Sequence, residues 1–178
     1  VFCMSTPSLM QMIQALVATP SVSSVNPRWN QSNRGVIDLL AEWLEALGLQ
    51  IQILPVPATE SKFNLVANIG SGPDGLVLSG HTDTVPYDEE RWRHDPFRVS
   101  EQDGRLYGLG TADMKSFFAF AIEALRELPL DRLRRPVTIL ATADEESSMC
   151  GARSLVEAQL RLGRHALIGE PTGLRPVR

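Results

Sequence analysis

The stretch Leu76-Val77-Leu78-Ser79-Gly80-His81-Thr82-Asp83-Thr84 changes character halfway along. Through Ser79 it is apolar enough for a buried strand; beyond it come a glycine and a polar cluster. The same pattern returns at Val137-Thr138-Ile139-Leu140-Ala141, which reads as a central strand and runs into Asp144-Glu145-Glu146-Ser147. It returns again at Ala166-Leu167-Ile168, followed by Gly169-Glu170-Pro171-Thr172. α/β proteins gather their sites beyond the carboxyl ends of buried strands, so these hand-overs point to that class and to where its chemistry lies.

The surrounding segments agree. Residues 8–18 read as a helix, with Ser8 as N-cap and Leu9, Met12, Ile13, Leu16 and Val17 at helical spacing. Residues 19–32, with Pro20, Asn26, Pro27 and several serines, form a loop. Residues 33–47 form a second helix, with Val36, Leu40, Trp43, Leu44 and Leu47 on one face and Gly48 as its stop. Strands follow at 49–56 and at Asn64 to Ile69, and Asp103-Gly104 marks a hairpin within 97–107. Residues 114–128 are apolar almost all round, which implies a buried helix, and 151–162 form a last one. Helices alternating with strands, plus one hairpin, imply an α/β fold with a mixed, mostly parallel sheet flanked by helices. Strand order is not readable from these patterns.

Composition narrows the function classes. The chain has 178 residues, 43% apolar and 21% charged, as in a globular protein with a real core. Seventeen basic against 21 acidic residues, interspersed, leave a net charge of -4 and no electrostatic footprint for nucleic acid. The Arg132, Arg134, Arg135 cluster reads as a solvated loop. No apolar run approaches the roughly 18 residues of a membrane span. Two cysteines, Cys3 and Cys150, make no disulfide framework, and Val1 to Ser5 has no signal-peptide features, so a cytoplasmic location is expected.

Four polar segments carry the candidate chemistry. His81 and Asp83, two apart on an extended chain, point to one side, so His81 could ligate a metal while Asp83 orients its ring. The alternative is a loop histidine beside a turn-forming aspartate. Asp113, after Gly108 and Gly110, reads either as an N-cap of the following helix or as a metal-bridging carboxylate. The pattern is not a dinucleotide fingerprint, because Asp113 stands where the third glycine would be. Asp144, Glu145 and Glu146 repel one another unless a positive charge compensates; a metal would supply it, with one glutamate ligating and its neighbour acting as general base. The alternative is a solvated acidic turn. Glu170 alone reads as part of a turn. Their joint placement suits a nitrogen–oxygen site for zinc, cobalt or manganese, with a carboxylate shared by two ions. His94 and His165 read as surface residues, Cys150 as a packing residue, and no Gly-x-Ser-x-Gly elbow is present.

Four ordered motifs then carry a resemblance: Gly80-His81-Thr82-Asp83-Thr84-Val85-Pro86, Gly108-Leu109-Gly110-Thr111-Ala112-Asp113-Met114-Lys115, Asp144-Glu145-Glu146 and Gly169-Glu170-Pro171-Thr172. The chain resembles the metallopeptidase group of carboxypeptidase G2-like enzymes, aminoacylases, succinyl-diaminopimelate desuccinylases and acetylornithine deacetylases. Gln31-Ser32-Asn33 and Lys62-Phe63-Asn64-Leu65 look most like the bacterial deacetylases of that group. The resemblance implies that His81, Asp113, Glu146 and Glu170 hold two divalent metal ions, zinc or cobalt, with Asp113 bridging and a cis peptide after it. Asp83 would hold the His81 ring and Glu145 would be the general base, acting on a small N-acylated amino acid. Ser116 stands where the group usually has glycine. The group's second metal-binding histidine and its dimerising domain find no counterpart here. Residues 1–178 are therefore expected to be the N-terminal part of a catalytic domain, incomplete for activity, from a protein that works as a homodimer. Another acyl-amino-acid hydrolase, or a non-catalytic metal-binding or assembly module, are the competing readings.

Overall fold

The computed structural model describes residues 7–57 and 59–177. Cys3 and the residues weighed as a leader lie outside the described residues.

The frame is one five-stranded sheet in the order β1-β2-β6-β3-β7. Its strands are β1 (Gln50–Pro55), β2 (Phe63–Ile69), β3 (Leu76–His81), β6 (Val137–Thr142) and β7 (His165–Ile168). β1 with β2 and β2 with β6 are antiparallel; β3 with β6 and β3 with β7 are parallel. The sheet is thus mixed, as expected, with the two kinds of pairing equal in number. A separate hairpin, β4 (Ser100–Gln102) and β5 (Arg105–Tyr107), turns at Asp103 and Gly104. Both turn residues have positive φ, 53° and 69°, the mirror-image turn that matches strand twist.

Helices α1 (Leu9–Ala18), α2 (Arg34–Ala46) and α3 (Ser116–Arg126) cover one face of the sheet. Ser8 caps α1 in a reciprocal capping box with Gln11. Met12, Leu16, Leu40, Leu44, Phe118 and Ile122 pack against Leu65, Ala67, Ile139 and Ala141, all nearly inaccessible. Alternation along a strand sends the neighbouring residues Asn64, Val66 and Thr138 to the other face. There Asn64 Nδ2 donates to the Gly151 carbonyl at 2.9 Å, in α4 (Cys150–Glu157). Gly151 is needed at that contact, because a Cβ would collide with the Ala143 backbone.

Two expectations are corrected. The last helix stops at Glu157 rather than at 162. The helix within 114–128 runs only from Ser116 to Arg126 and is buried on one face only, since Phe120 is 54% exposed. The last short strand, β7, lies at the sheet edge with all four residues exposed. Its apolar composition is the same at centre or edge, and only the strand order decides.

Candidate metal centre

Three parallel strands deliver three of the four polar segments to one edge. β3 ends in His81, β6 runs into Ala143 to Glu146, and β7 leads into Glu170. The fourth arrives ahead of α3. Gly80 makes that approach possible, because a Cβ there would lie 2.8 Å from Met114 Cε and 3.0 Å from Phe118. The Asp113–Met114 peptide is cis.

The His81 ring is buried at 1% side-chain exposure. Its Nδ1 lies 3.0 Å from the Asp83 carbonyl oxygen, which can only accept, so Nδ1 carries a proton. The Asp83 carboxylate is further off, 3.6 Å from Nδ1, and takes the backbone N–H groups of Glu145 at 3.1 Å and Glu146 at 3.0 Å. Asp83 therefore orients the ring chiefly through its backbone, while its side chain anchors the acidic turn. Nε2 faces the Asp113 carboxylate at 3.0 Å and Glu170 at 3.8 Å. Ligand atoms of His81, Asp113 and Glu146 all lie within 4.8 Å of one another, a grouping that could hold a metal ion.

The electrostatics fit a cation. Burial disfavours a charged His81 ring, but the hydrogen bond and charge of Asp83, together with Asp113 and Glu170, outweigh it and raise its pKa to about 9. In the metal-free state a proton thus occupies Nε2, where a metal would sit. Desolvation raises the pKa of Glu146, with Asp113 and Glu145 adding to it against the pull of His81. Desolvation also raises Glu170, which feels the same neighbours. Carboxylates that crowd one another around a neutral-capable imidazole are a donor set short of positive charge. The site is not deeply buried throughout: Asp113 and Glu170 side chains are 47% and 40% exposed.

Sequence reasoning missed the supporting residues. Asp144 is not compensated by a metal: Lys62, 2% exposed, pairs with it at 2.7 Å. Burial opposes ionisation of Asp144, but Lys62, Ser23 and Ser148 outweigh it and hold its carboxyl below the usual range. Asn33 bridges the Phe63 carbonyl and Thr82 Oγ1 at 2.7 and 2.8 Å, tying α2 to the end of β3. Lys115 is fully buried, donates to the Thr19 carbonyl, and has its pKa lowered to about 8 by burial against the pull of Asp83. Only the motif likenesses of Gln31 to Asn33, Lys62 to Leu65 and Gly108 to Lys115 pointed toward any of these. Asp113 is not an N-cap, since Lys115 holds that position and makes no side-chain cap. Ser116 is buried and its hydroxyl has no partner among the described residues. Cys150 is half-buried with Sγ 3.7 Å from Asp144 Oδ2, so its neighbour is a carboxylate rather than apolar packing. His94 and His165 are exposed and away from the cluster.

A histidine among carboxylates, at the carboxyl edge of a mixed sheet, marks an α/β protein with a candidate metal site. Residues 77–177 match the model of peptidase family M20/M25/M40, and the chain belongs to that family. It is 54% identical over 172 residues to an acetylornithine deacetylase of Pasteurella multocida and 55% identical over 172 to one of Proteus mirabilis. Both matches take in 97% of this chain but 45% and 44% of those proteins, so the chain spans a little under half the curated relatives it matches. Among solved structures, human carnosine dipeptidase 1 superposes with a TM-score of 0.75 at 23% identity, over 90% of this chain and 37% of that one. An M20 family metallo-carboxypeptidase of Sulfolobus solfataricus gives 0.71 at 20% identity, over 92% and 37%. At those identities the likeness is one of fold. Among the described residues no helix is long and apolar enough to cross a membrane.

Proposed function

We propose that the protein containing this chain hydrolyses the amide bond of N2-acetyl-L-ornithine to acetate and L-ornithine, a step of arginine biosynthesis. The observation that carries this reading is the convergence of His81, Asp113 and Glu146, with Glu170 beside them, in a chain more than half identical to acetylornithine deacetylases. In it His81, Asp113, Glu146 and Glu170 would hold two divalent ions, zinc or cobalt. Bound there, the ions would acidify a water and polarise the amide carbonyl.

The chain's own residues do the rest. Glu145 lines a cavity of about 460 Å³ together with His81 and Glu170. Its backbone is fixed by the hydrogen bond to Asp83, so its carboxylate is free to take the proton of the attacking water and pass it to the departing nitrogen. Asp83 acts by placement. In this reading residues 1–178 are the N-terminal part of the catalytic domain, and the whole protein works as a cytoplasmic homodimer.

Side-by-side turnover of N-acetylornithine and N-succinyl-diaminopimelate by the whole protein tests the substrate. Glu145→Gln should lower kcat by at least about 100-fold, the scale of a lost general base, with bound metal unchanged. A rate within a few-fold of the parent would remove Glu145 from that role.

A further inference from the structure

We propose that Lys62 is a positioning residue whose ion pair with Asp144 sets the turn carrying Glu145 and Glu146. The inference rests on the functional reading above for what that turn does.

Asp144 is one residue ahead of the proposed base and has φ of 60°, a left-handed conformation that non-glycine residues adopt only when their surroundings hold them there. Its carboxylate is held from three directions. Oδ1 accepts from Lys62 Nζ at 2.7 Å and from Ser23 Oγ at 2.7 Å, and Oδ2 accepts from Ser148 Oγ at 3.0 Å. The Lys62 ammonium is itself saturated: its other donors reach Asn30 Oδ1 and the Gln31 carbonyl, each at 2.8 Å. With both groups nearly inaccessible, neither can be traded for water.

The left-handed step at Asp144 turns the next two N–H groups the opposite way, and both close on Asp83 at 3.1 and 3.0 Å. Successive N–H groups converging on one carboxylate form an anion-binding nest. The Asp144 carbonyl takes the Met149 N–H at 2.7 Å and closes the loop. A cation behind the turn and a carboxylate in front of it therefore fix its two sides. Lys62 touches neither Glu145 nor any metal-ligand candidate. It acts through Asp144, and it comes from the residue just ahead of β2, on a different part of the chain.

The test uses Lys62→Met, which keeps the stem and removes the charge, and Lys62→Met/Asp144→Asn, which removes both. Asparagine tolerates the left-handed conformation, so the double variant can keep the turn. In the metal-free whole protein, hydrogen exchange at the Glu145 and Glu146 amides should rise by about tenfold or more in Lys62→Met while the α2 amides are unchanged, the mark of a local opening. kcat should fall by roughly 100-fold with KM within about threefold, the scale on which misplaced catalytic groups act. The double variant should recover most of both. Unchanged exchange at the two amides overturns the proposal. So does a rise shared equally by α2, which would make Lys62 a general stabiliser, and so does a double variant as impaired as the single one. A parent protein inactive on every N-acyl amino acid would sink the functional reading alone, because the exchange result does not depend on turnover.

Discussion

The two faces of the sheet differ. On one, α1, α2 and α3 seal Leu65, Ala67, Ile139 and Ala141 beneath a core whose members are nearly all inaccessible. On the other, α4 is tied down by Asn64 and Gly151, while Val156, Ile168 and Met149 stay 77%, 62% and 44% exposed. The candidate metal site lies at the carboxyl edge where both faces end. The site draws on both faces: His81 ends β3 and Asp113 leads into α3, while the turn carrying Glu145 and Glu146 is also held from the open face, where Asn64 Oδ1 accepts the Ala143 N–H at 3.1 Å. The cavity beside Glu145 belongs to the open face, where Leu155, Val156 and Ile168 line it.

The largest expected effect breaks the sealed face. Phe118→Ala in the 178-residue chain should cost about 3–5 kcal/mol, the range for a fully buried aromatic, whereas Val156→Ser on the open face should change stability by less than about 0.5 kcal/mol. Denaturant melts of the two variants measure both. Equal costs would mean that the faces do not differ as described.

A smaller effect sharpens the comparison at the edge. In the metal-free protein the His81 pKa is raised from 6.5 to about 9, so the folded state binds its proton more tightly than the unfolded chain does. That stability is fully present below pH 6.5 and is lost as pH rises through about 9. The raised carboxyls of Glu146 and Glu170 act in the same direction at lower pH. The metal-free melting temperature should therefore fall between pH 6.5 and 8, above which the lowered pKa of buried Lys115 begins to offset the loss, and His81→Asn should flatten that fall. A parent profile already flat across this window would contradict the charge balance drawn for the site.

Local structure was legible where one residue dictates geometry: Ser8 as a cap, Gly48 with φ of 86° ending α2, Asp103-Gly104 turning the hairpin. Three of the four site segments were legible because each follows an apolar strand, and the fourth because it leads into an apolar helix. Strand order was not, and with it went the exposure of β7, since an apolar tetrapeptide reads alike at a sheet's centre and edge. Lys62 was hidden for a different reason. An ordinary-looking lysine just ahead of β2 compensates Asp144 on a distant turn, and nothing within Asp144-Glu145-Glu146 itself points to it. The N-cap alternative at Asp113 failed because the helix starts at Ser116, beyond it.

The most direct test is a calorimetric titration of the metal-free whole protein with zinc, repeated on His81→Ala. The account predicts that the parent binds two ions and that the variant loses tight binding of at least one while keeping its circular dichroism spectrum. A variant that binds the same number of ions with unchanged affinity would show that the histidine–carboxylate cluster is not a metal centre.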